Sequence, residues 1–335
     1  MKMSSGDLRI VTTKTPLRIT FTGGGTDLPQ YYRNYGPGAV VSAAIDRYIY
    51  ISVSRNFRKD EIRVSYSKTE NGLKNVNEIQ HPTVREAMKL LDIGTGIQIV
   101  SITEVPSGGT GLGSSSSFLV GLLNALHTWI GETVSPRQLA DEAIKIERNI
   151  LGEPGGKQDQ YIAAFGGIQY MKFERSENVT LKRISIKGEK LSELNDQLMM
   201  FYTGVERKSV DIHKDQSNGI DINRSGYDRM RDIAKETKEC LENYDFNQLG
   251  KLMDENWNIK KSLSKKISQD LIDNWYSQAI NAGSIGGKLI GAGGGGFLLF
   301  FTPLERQNQV MDALNVLERH RIKIENLGSR VVFLE

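Results

Sequence analysis

The sequence predicts a mixed fold of strands and helices in two parts, and three observations predict it. Strand-like and helix-like runs alternate through the first half, at 47–54, 97–105, 118–129 and 136–151. Long polar helices fill 205–263 before strands return at 284–290 and 297–302. A chain of 335 residues, 39% hydrophobic and 25% charged, is long enough for two compact domains of ordinary globular composition.

The first strand expected is Arg18–Thr22, which runs into GGGTD at Gly23–Asp27. In Arg47–Ser54, Ile49, Ile51 and Val53 share one face and Tyr48 and Tyr50 the other, as in a strand. Ile97–Val105 is another strand, stopped by Pro106 and a run of glycines. Beyond it, Phe118, Leu122, Ala125, Leu126 and Trp129 recur at helical spacing. A helix is expected from Pro136 to Leu151, with Leu139, Ala143, Ile146 and Ile150 as its buried stripe. Gly152 and Pro154 stop it.

A strand near Gln197–Thr203 opens the second half, followed by helices near Val205–Ser217, Arg224–Asn243 and Asp245–Leu263. Strands follow at Ser284–Ile290 and Phe297–Thr302, then a helix from Pro303 to about Arg319 and a last strand at Arg330–Leu334. The polar stretch Ser176–Ser192 marks the expected boundary, dividing 1–185 from 186–335.

Net charge is +3 with both signs mixed along the chain, which offers no electrostatic footprint for nucleic acid or an anionic membrane. Cys240 is the single cysteine, so an intrachain disulfide is excluded. With the polar start MKMSSGDLRI and no apolar run of membrane-spanning length, a reducing cytoplasm is the expected location. His81, His127, His213 and His320 lie far apart and without metal-ligand spacing, so no zinc site is expected.

Three glycine clusters carry the chemistry. PSGGTGLGSSSS, Pro106–Ser117, lies between a strand and a helix, where backbone N–H groups attract phosphate oxygens. Its glycines let the backbone fold into a concave nest, and its serines add hydroxyl donors. It lacks the lysine of GxxxxGK[ST] and the spacing of GxGxxG. A flexible linker is the plainer reading, but a linker does not run straight into an apolar helical stripe.

GAGGGG, Gly291–Gly296, does match GxGxxG, yet FLLFF follows it as a strand where a dinucleotide site needs a helix. A hairpin whose glycines approach another backbone or a ligand fits better, and a purely structural hairpin fits equally. In GGGTD, a ligand could lie against the glycines while Asp27 accepts hydrogen bonds from hydroxyls. Its residues alone favour the alternative, Asp27 as N-cap of Leu28–Arg33.

In order, TPLRITFTGGGTD (Thr15–Asp27), PSGGTGLGSSSS and KLIGAGGGGF (Lys288–Phe297) resemble the three motifs of the GHMP kinases. The resemblance spans nearly the whole chain. It implies a two-domain α+β fold, with an N-terminal domain like ribosomal protein S5 domain 2, a ferredoxin-like C-terminal domain, and the active site in the cleft between them. A fourth segment, IERNILGEPGGKQDQYIAAFGG (Ile146–Gly167), resembles the galactokinase stretch with the catalytic aspartate; Glu147 and Asp159 stand twelve apart. GGKQDQY and GGGTDLP narrow the resemblance to kinases of the anomeric hydroxyl, most like the branch acting on D-glycero-D-manno-heptose 7-phosphate. Galactokinases carry Gly-Glu-His-Thr-Asp where this chain has Gly23–Asp27, which argues against galactose itself.

The resemblance therefore implies ATP-dependent transfer to C1 of a sugar phosphate, giving a 1,7-bisphosphate for nucleotide-activated heptose synthesis. Alternatives are a kinase for a fucose, galactose or N-acetylhexosamine type of sugar, and a non-catalytic sensor. ATP and Mg²⁺ are the implied cofactors, a small sugar phosphate the implied partner, and monomer or homodimer the implied state. Asp159 is the implied base, and Arg18 sits beside the nucleophile, its permanent charge steadying a developing alkoxide. Helix capping and a surface strand edge are the plainer readings of these two residues.

Pro106, Gly108, Gly109, Thr110, Gly111, Leu112, Gly113, Ser114, Ser115 and Ser116 are the implied triphosphate cradle. Ser115 and Glu147 are the implied magnesium ligands, both hard oxygen donors. Gly24, Gly25, Thr26, Asp27, Gly156, Gly204, Arg207, Gly293 and Gly294 are the implied acceptor contacts. A phosphate on the sugar needs a basic partner, for which Arg207, Lys208, Arg47 and Lys157 are equal candidates.

Overall fold

Two sheets carry the fold in a computed structural model that describes residues 8–106, 109–205 and 209–335. The strands are β1 (Ile10–Thr22), β2 (Gly38–Arg55), β3 (Ile62–Ser65), β4 (Thr69–Leu73), β5 (Ile97–Thr103) and β6 (Ile168–Phe173). They continue with β7 (Val179–Ile184), β8 (Leu198–Tyr202), β9 (Gly286–Leu289), β10 (Phe297–Phe301), β11 (Glu318–His320) and β12 (Arg330–Leu334). The first sheet is eight-stranded, β12-β1-β2-β5-β3-β4, with β6 and β7 joined to it through β2. The second is four-stranded and antiparallel, β11-β8-β10-β9.

The helices are α1 (Pro29–Tyr35), α2 (Pro82–Leu90), α3 (Ser114–Trp129), α4 (Pro136–Ile144), α5 (Gln158–Phe165) and α6 (Gly188–Gln197). After them come α7 (Ser209–Asn218), α8 (Arg224–Glu242), α9 (Phe246–Ser262), α10 (Asp270–Asn281) and α11 (Gln307–Ala313).

β2 forks the first sheet, since Gly38–Ala43 pair with β6 whereas Ile49–Arg55 pair with β5. α3 fills the concavity, burying Leu119, Leu122, Leu123 and Leu126 against the sheet. β10 shows how the two sheets join. Its period of two sends Phe297, Leu299 and Phe301 into the core of the first sheet, and Leu298 and Phe300 into a second core with Trp257, Tyr276 and Leu314. The mixed two-sheet architecture is the α+β class that the resemblance implies. Among the described residues, no helix is long and apolar enough to cross a membrane.

Some elements differ from expectation. The helix expected to Leu151 stops as α at Ile144 and continues as a π-helical turn, Lys145–Ile150, which carries Glu147. The helix expected from Pro303 to Arg319 is a 3₁₀ turn at Leu304–Arg306 followed by the short α11. Glu318–His320 instead form β11, because the open edge of β8 takes up their backbone groups, and edge pairing overrides weak local propensity. β7 lies inside the expected boundary stretch, paired with β6. β12 returns from the end of the chain to pair with β1, covering an otherwise open edge.

Candidate active site

The glycine-rich loop leads directly into α3. Gly113 occupies the N-cap position with φ 75° and ψ 26°, and Gly109 and Gly111 also have positive φ, so left-handed residues alternate along the loop. That alternation turns successive N–H groups inward, the geometry of an anion nest at a helix start. The hairpin Gly291–Gly296 braces it from behind. A Cβ on Gly291 would sit 2.6 Å from Gly111 Cα, so the two backbones touch as only glycines allow.

Arg18 and Asp159 meet at the mouth of this loop. Arg18 Nε and Nη2 donate to the two carboxylate oxygens of Asp159 at 2.7 and 2.6 Å, and Nη1 donates to Gly111 O. A Cβ on Gly113 would lie 3.1 Å from Asp159 Oδ2 and 3.3 Å from Arg18 Cγ, which sets the pair against the start of α3. Arg18 N also donates to Leu112 O at 3.0 Å, locking β1 to the loop. The guanidinium is thus held by a bidentate pair and a backbone carbonyl, its orientation fixed.

Beyond this pair opens a cleft lined by Arg18, Asp27, Arg148, Asp159, Lys260 and Lys288 together with Gly24, Gly25 and Gly156. Asp27 does not cap the helix that follows it. α1 begins at Pro29 with Leu28 in the cap position and no side-chain cap. Asp27 instead accepts from Gly25 N at 3.1 Å and from Gln158 N, the first residue of α5, at 3.2 Å. Gly156 presses on its carboxylate so closely that any Cβ there would overlap it. Burial, and after it the negative charge of Asp159, raises the Asp27 pKa above the ordinary carboxylate value.

Glu147, 2% exposed, lies behind the loop. Its carboxylate accepts from Ser116 Oγ at 3.0 and 3.2 Å and from Gln160 Nε2, with Arg148 Nη2 at 3.6 Å. Burial pushes its pKa up, against the pull of Arg148. Ser115 and Glu147 are not brought into a hydrogen bond. Ser115 is exposed, whereas Ser116, one helical step on, turns inward. Ser114 and Ser115 instead line a second cavity of about 510 Å³, walled by Tyr66, Thr83 and the stacked rings of His81 and Phe118.

Several expected residues lie elsewhere. Thr26 is wholly buried, and its hydroxyl bonds Gly23 O and Ala39 O, so it closes a turn instead of facing the cleft. Gly293 and Gly294 pack on Ile267, and Gly204 sits exposed after β8; none of the three lines the cleft. Pro106 is exposed at the entry to the loop, and Gly109 and Thr110 lie within it. Gly108, Arg207 and Lys208 fall outside the described residues. Lys157 is committed to Glu177, and Arg47 to Asp46 O and Arg321 O, so neither reaches the cleft.

Lys260, Lys288, Arg148, Gln158 and Gln216 line the cleft without having been singled out. A signal existed for Lys260. Leu249, Met253, Asn256 and Lys260 share the helical stripe that α9 buries, and a lysine on such a stripe is unusual.

The models of the GHMP kinases N terminal domain and of the GHMP kinases C terminal match residues 82–167 and 237–316. The chain is 31% identical over 324 residues to a D-glycero-alpha-D-manno-heptose 7-phosphate kinase of Campylobacter jejuni, covering 92% of this chain and 94% of that one. It is 24% identical to an L-fucokinase/L-fucose-1-P guanylyltransferase of Bacteroides fragilis, over 87% of this chain and 34% of that one. Among solved structures, a D-glycero-D-manno-heptose 1-phosphate kinase from Bacteroides thetaiotaomicron superposes with a TM-score of 0.80 at 24% identity, covering 97% and 99% of the two chains. Lactococcus lactis galactokinase complexed with galactose gives 0.76 at 15% identity, over 96% and 95%. At these identities the two structures share the fold.

Proposed function

The chain belongs to the GHMP kinases, and we propose that it transfers the γ-phosphate of ATP to the anomeric hydroxyl of D-glycero-D-manno-heptose 7-phosphate, giving the 1,7-bisphosphate. The observation that carries this reading is the Arg18–Asp159 pair, set between the anion nest at the start of α3 and the Asp27 cleft. ATP lies with its phosphates in Gly109–Ser116 and its base toward the cavity of His81 and Phe118. The acceptor lies against Gly24, Gly25 and Gly156, with Asp27 accepting from its hydroxyls.

Phosphoryl transfer needs positioning and charge neutralisation more than covalent chemistry. Asp159 receives the proton of the attacking hydroxyl, and Arg18, permanently charged, faces the developing negative oxygen. Seating Asp159 in the first turn of α5 keeps a negative charge favourable there. At about 60 Å³ the cleft holds only part of a sugar, against the roughly 300 Å³ or more of most ligand sites. Gln216 Nε2 donates to Ala292 O at 3.1 Å across it.

Magnesium fits the donors present. Glu147 is a buried carboxylate whose partners are neutral groups and one arginine, and Gln160 Oε1 beside it is buried without a partner among the described residues. Glu147 would hold the ion, with Ser116 orienting the carboxylate; Ser115, expected as the second ligand, lines the other cavity and is not brought to Glu147. Among the described residues no group of three or more His, Cys, Asp or Glu is placed to hold a metal, and an ion held by Glu147 would draw further oxygens from the nucleotide and water. Its contribution when bound is to neutralise phosphate charge.

The test is ADP release over a panel of sugars and sugar phosphates, with Asp159→Asn as control. Fastest turnover with heptose 7-phosphate supports the assignment. Turnover of an unphosphorylated sugar alone overturns the substrate, and ATP binding without ADP release for any acceptor favours a sensor.

A further inference from the structure

Two lysines in the cleft take no part in the loop or in the Arg18–Asp159 pair. Lys260, on α9, is 4% exposed and Lys288, on β9, 1%, yet both line the acceptor cleft. Lys260 Nζ donates one hydrogen bond, 2.7 Å to Gly291 O. The Lys288 ammonium has no hydrogen-bond acceptor or ion-pair partner among the described residues; the charges that act on it are those of Lys260 and Arg18, both repulsive.

The surrounding charges are already assigned. Arg18 is spent on Asp159, Arg148 on Glu147 and the carbonyls of residues 153, 154 and 156, and Lys260 feels the carboxylate of Asp27. Lys288 is the basic group left without a partner among the described residues. Two buried lysines lining one cleft, one of them without a counterion, are costly to hold charged, and an anion in the cleft offsets that cost.

We propose that Lys260 and Lys288 form a phosphate-binding subsite on the acceptor side of the cleft. A phosphate dianion there supplies the missing countercharge and accepts hydrogen bonds from both amines. Its source is either a phosphate the acceptor already carries or the phosphoryl group in transfer. The choice of source rests on the kinase function proposed above; the subsite itself rests on the two lysines.

Proton uptake is a second signature. Burial lowers the Lys260 pKa to about 8 and holds that of Lys288 well below the ordinary lysine value. The charged groups facing them are Arg18 on β1, Asp27 before α1, Arg148 on the π-helical turn and Asp159 on α5. An entering dianion raises both lysine values, so binding near pH 8 draws protons from the buffer.

The experiment is calorimetric titration of the full chain with inorganic phosphate and with heptose 7-phosphate, in two buffers of different ionisation enthalpy. It is run on wild type, Lys288→Met and Lys260→Met, each checked for folding by its melting curve. The expected result is at least tenfold weaker phosphate binding in both variants and loss of buffer-dependent heat. Steady-state kinetics then separate the sources. A rise confined to KM for the phosphorylated acceptor assigns the acceptor's own phosphate. A fall in kcat shared by phosphorylated and unphosphorylated sugars assigns the transferred group. Wild-type phosphate affinity in both folded variants overturns the subsite, as does a wild type that binds no phosphate. An enzyme that binds phosphate through these lysines but releases no ADP with any sugar sinks the kinase reading and leaves the subsite standing.

Discussion

Asp159 and Arg18 hold each other through two parallel hydrogen bonds, and a variant of either acts on both. Asp159→Asn keeps the volume but removes the proposed proton acceptor. Its kcat is expected to fall about 10²–10⁴-fold with little change in KM for ATP, read by ADP release. Arg18→Lys loses the fork that meets both carboxylate oxygens, so it lowers kcat despite conserving charge. Asp27 gives a pH-dependent prediction. Its folded-state pKa is raised, so its contribution to stability is fully present below the ordinary carboxylate value and is lost as pH rises through the folded value. Asp27→Asn should therefore melt higher than wild type at pH 8, with the gain vanishing at acid pH, while acceptor turnover falls. Equal melting temperatures at pH 8 would refute this. Arg18, Asp27 and Asp159 were legible as motif residues. Thr26 was misplaced because a run of letters does not show which side chain a turn consumes.

At the scale of elements, the two glycine clusters function as one object. Gly291→Ala forces its Cβ against Gly111 Cα at 2.6 Å with φ at 84°. We expect a loss of about 1–3 kcal/mol in stability and a raised KM for ATP, since the nest is displaced. Gly94→Ala, where an added Cβ meets nothing within 4 Å, is the matched control for chemical denaturation. The hairpin itself was legible, because a strand follows Gly296. That it supports the phosphate loop was not, since a contact between residues so far apart leaves no local pattern. The π-helical turn at Lys145–Ile150 was hidden for a related reason. Its apolar spacing still resembles a helix, and the extra residue per turn shows only once Glu147 is seen facing Ser116.

For the whole molecule, the last strand decides how the chain closes. β12 pairs with β1, and Ser329 Oγ bonds Thr15 Oγ1 at 2.8 Å and Asn124 Nδ2 at 3.0 Å. Removing residues 329–335 uncovers the edge of the strand that carries Arg18. The expected loss is about 2–4 kcal/mol from backbone pairing, seen as a lower melting temperature and as aggregation through the bared edge. An unchanged melting curve would show that β1 needs no partner on that side. The proposed division at residue 185 lies between β7 and α6; β12 crosses back to the first sheet, and the core of that sheet reaches β10, α8 and α9.

Periodicity and glycine spacing by themselves determined the strand–loop–helix at Pro106–Ser117 and the order of the three glycine clusters, because these depend on neighbours in sequence; the α+β class came through the family resemblance. Only the tertiary structure decided which residues share the cleft. It turned Ser116 rather than Ser115 onto Glu147, left Thr26, Gly293 and Gly294 off the cleft wall, and set Lys260 and Lys288 on it. The physical reason is that a buried charge is defined by what surrounds it. Those surroundings come from β1, α5, α9 and β9, which the chain brings together only on folding.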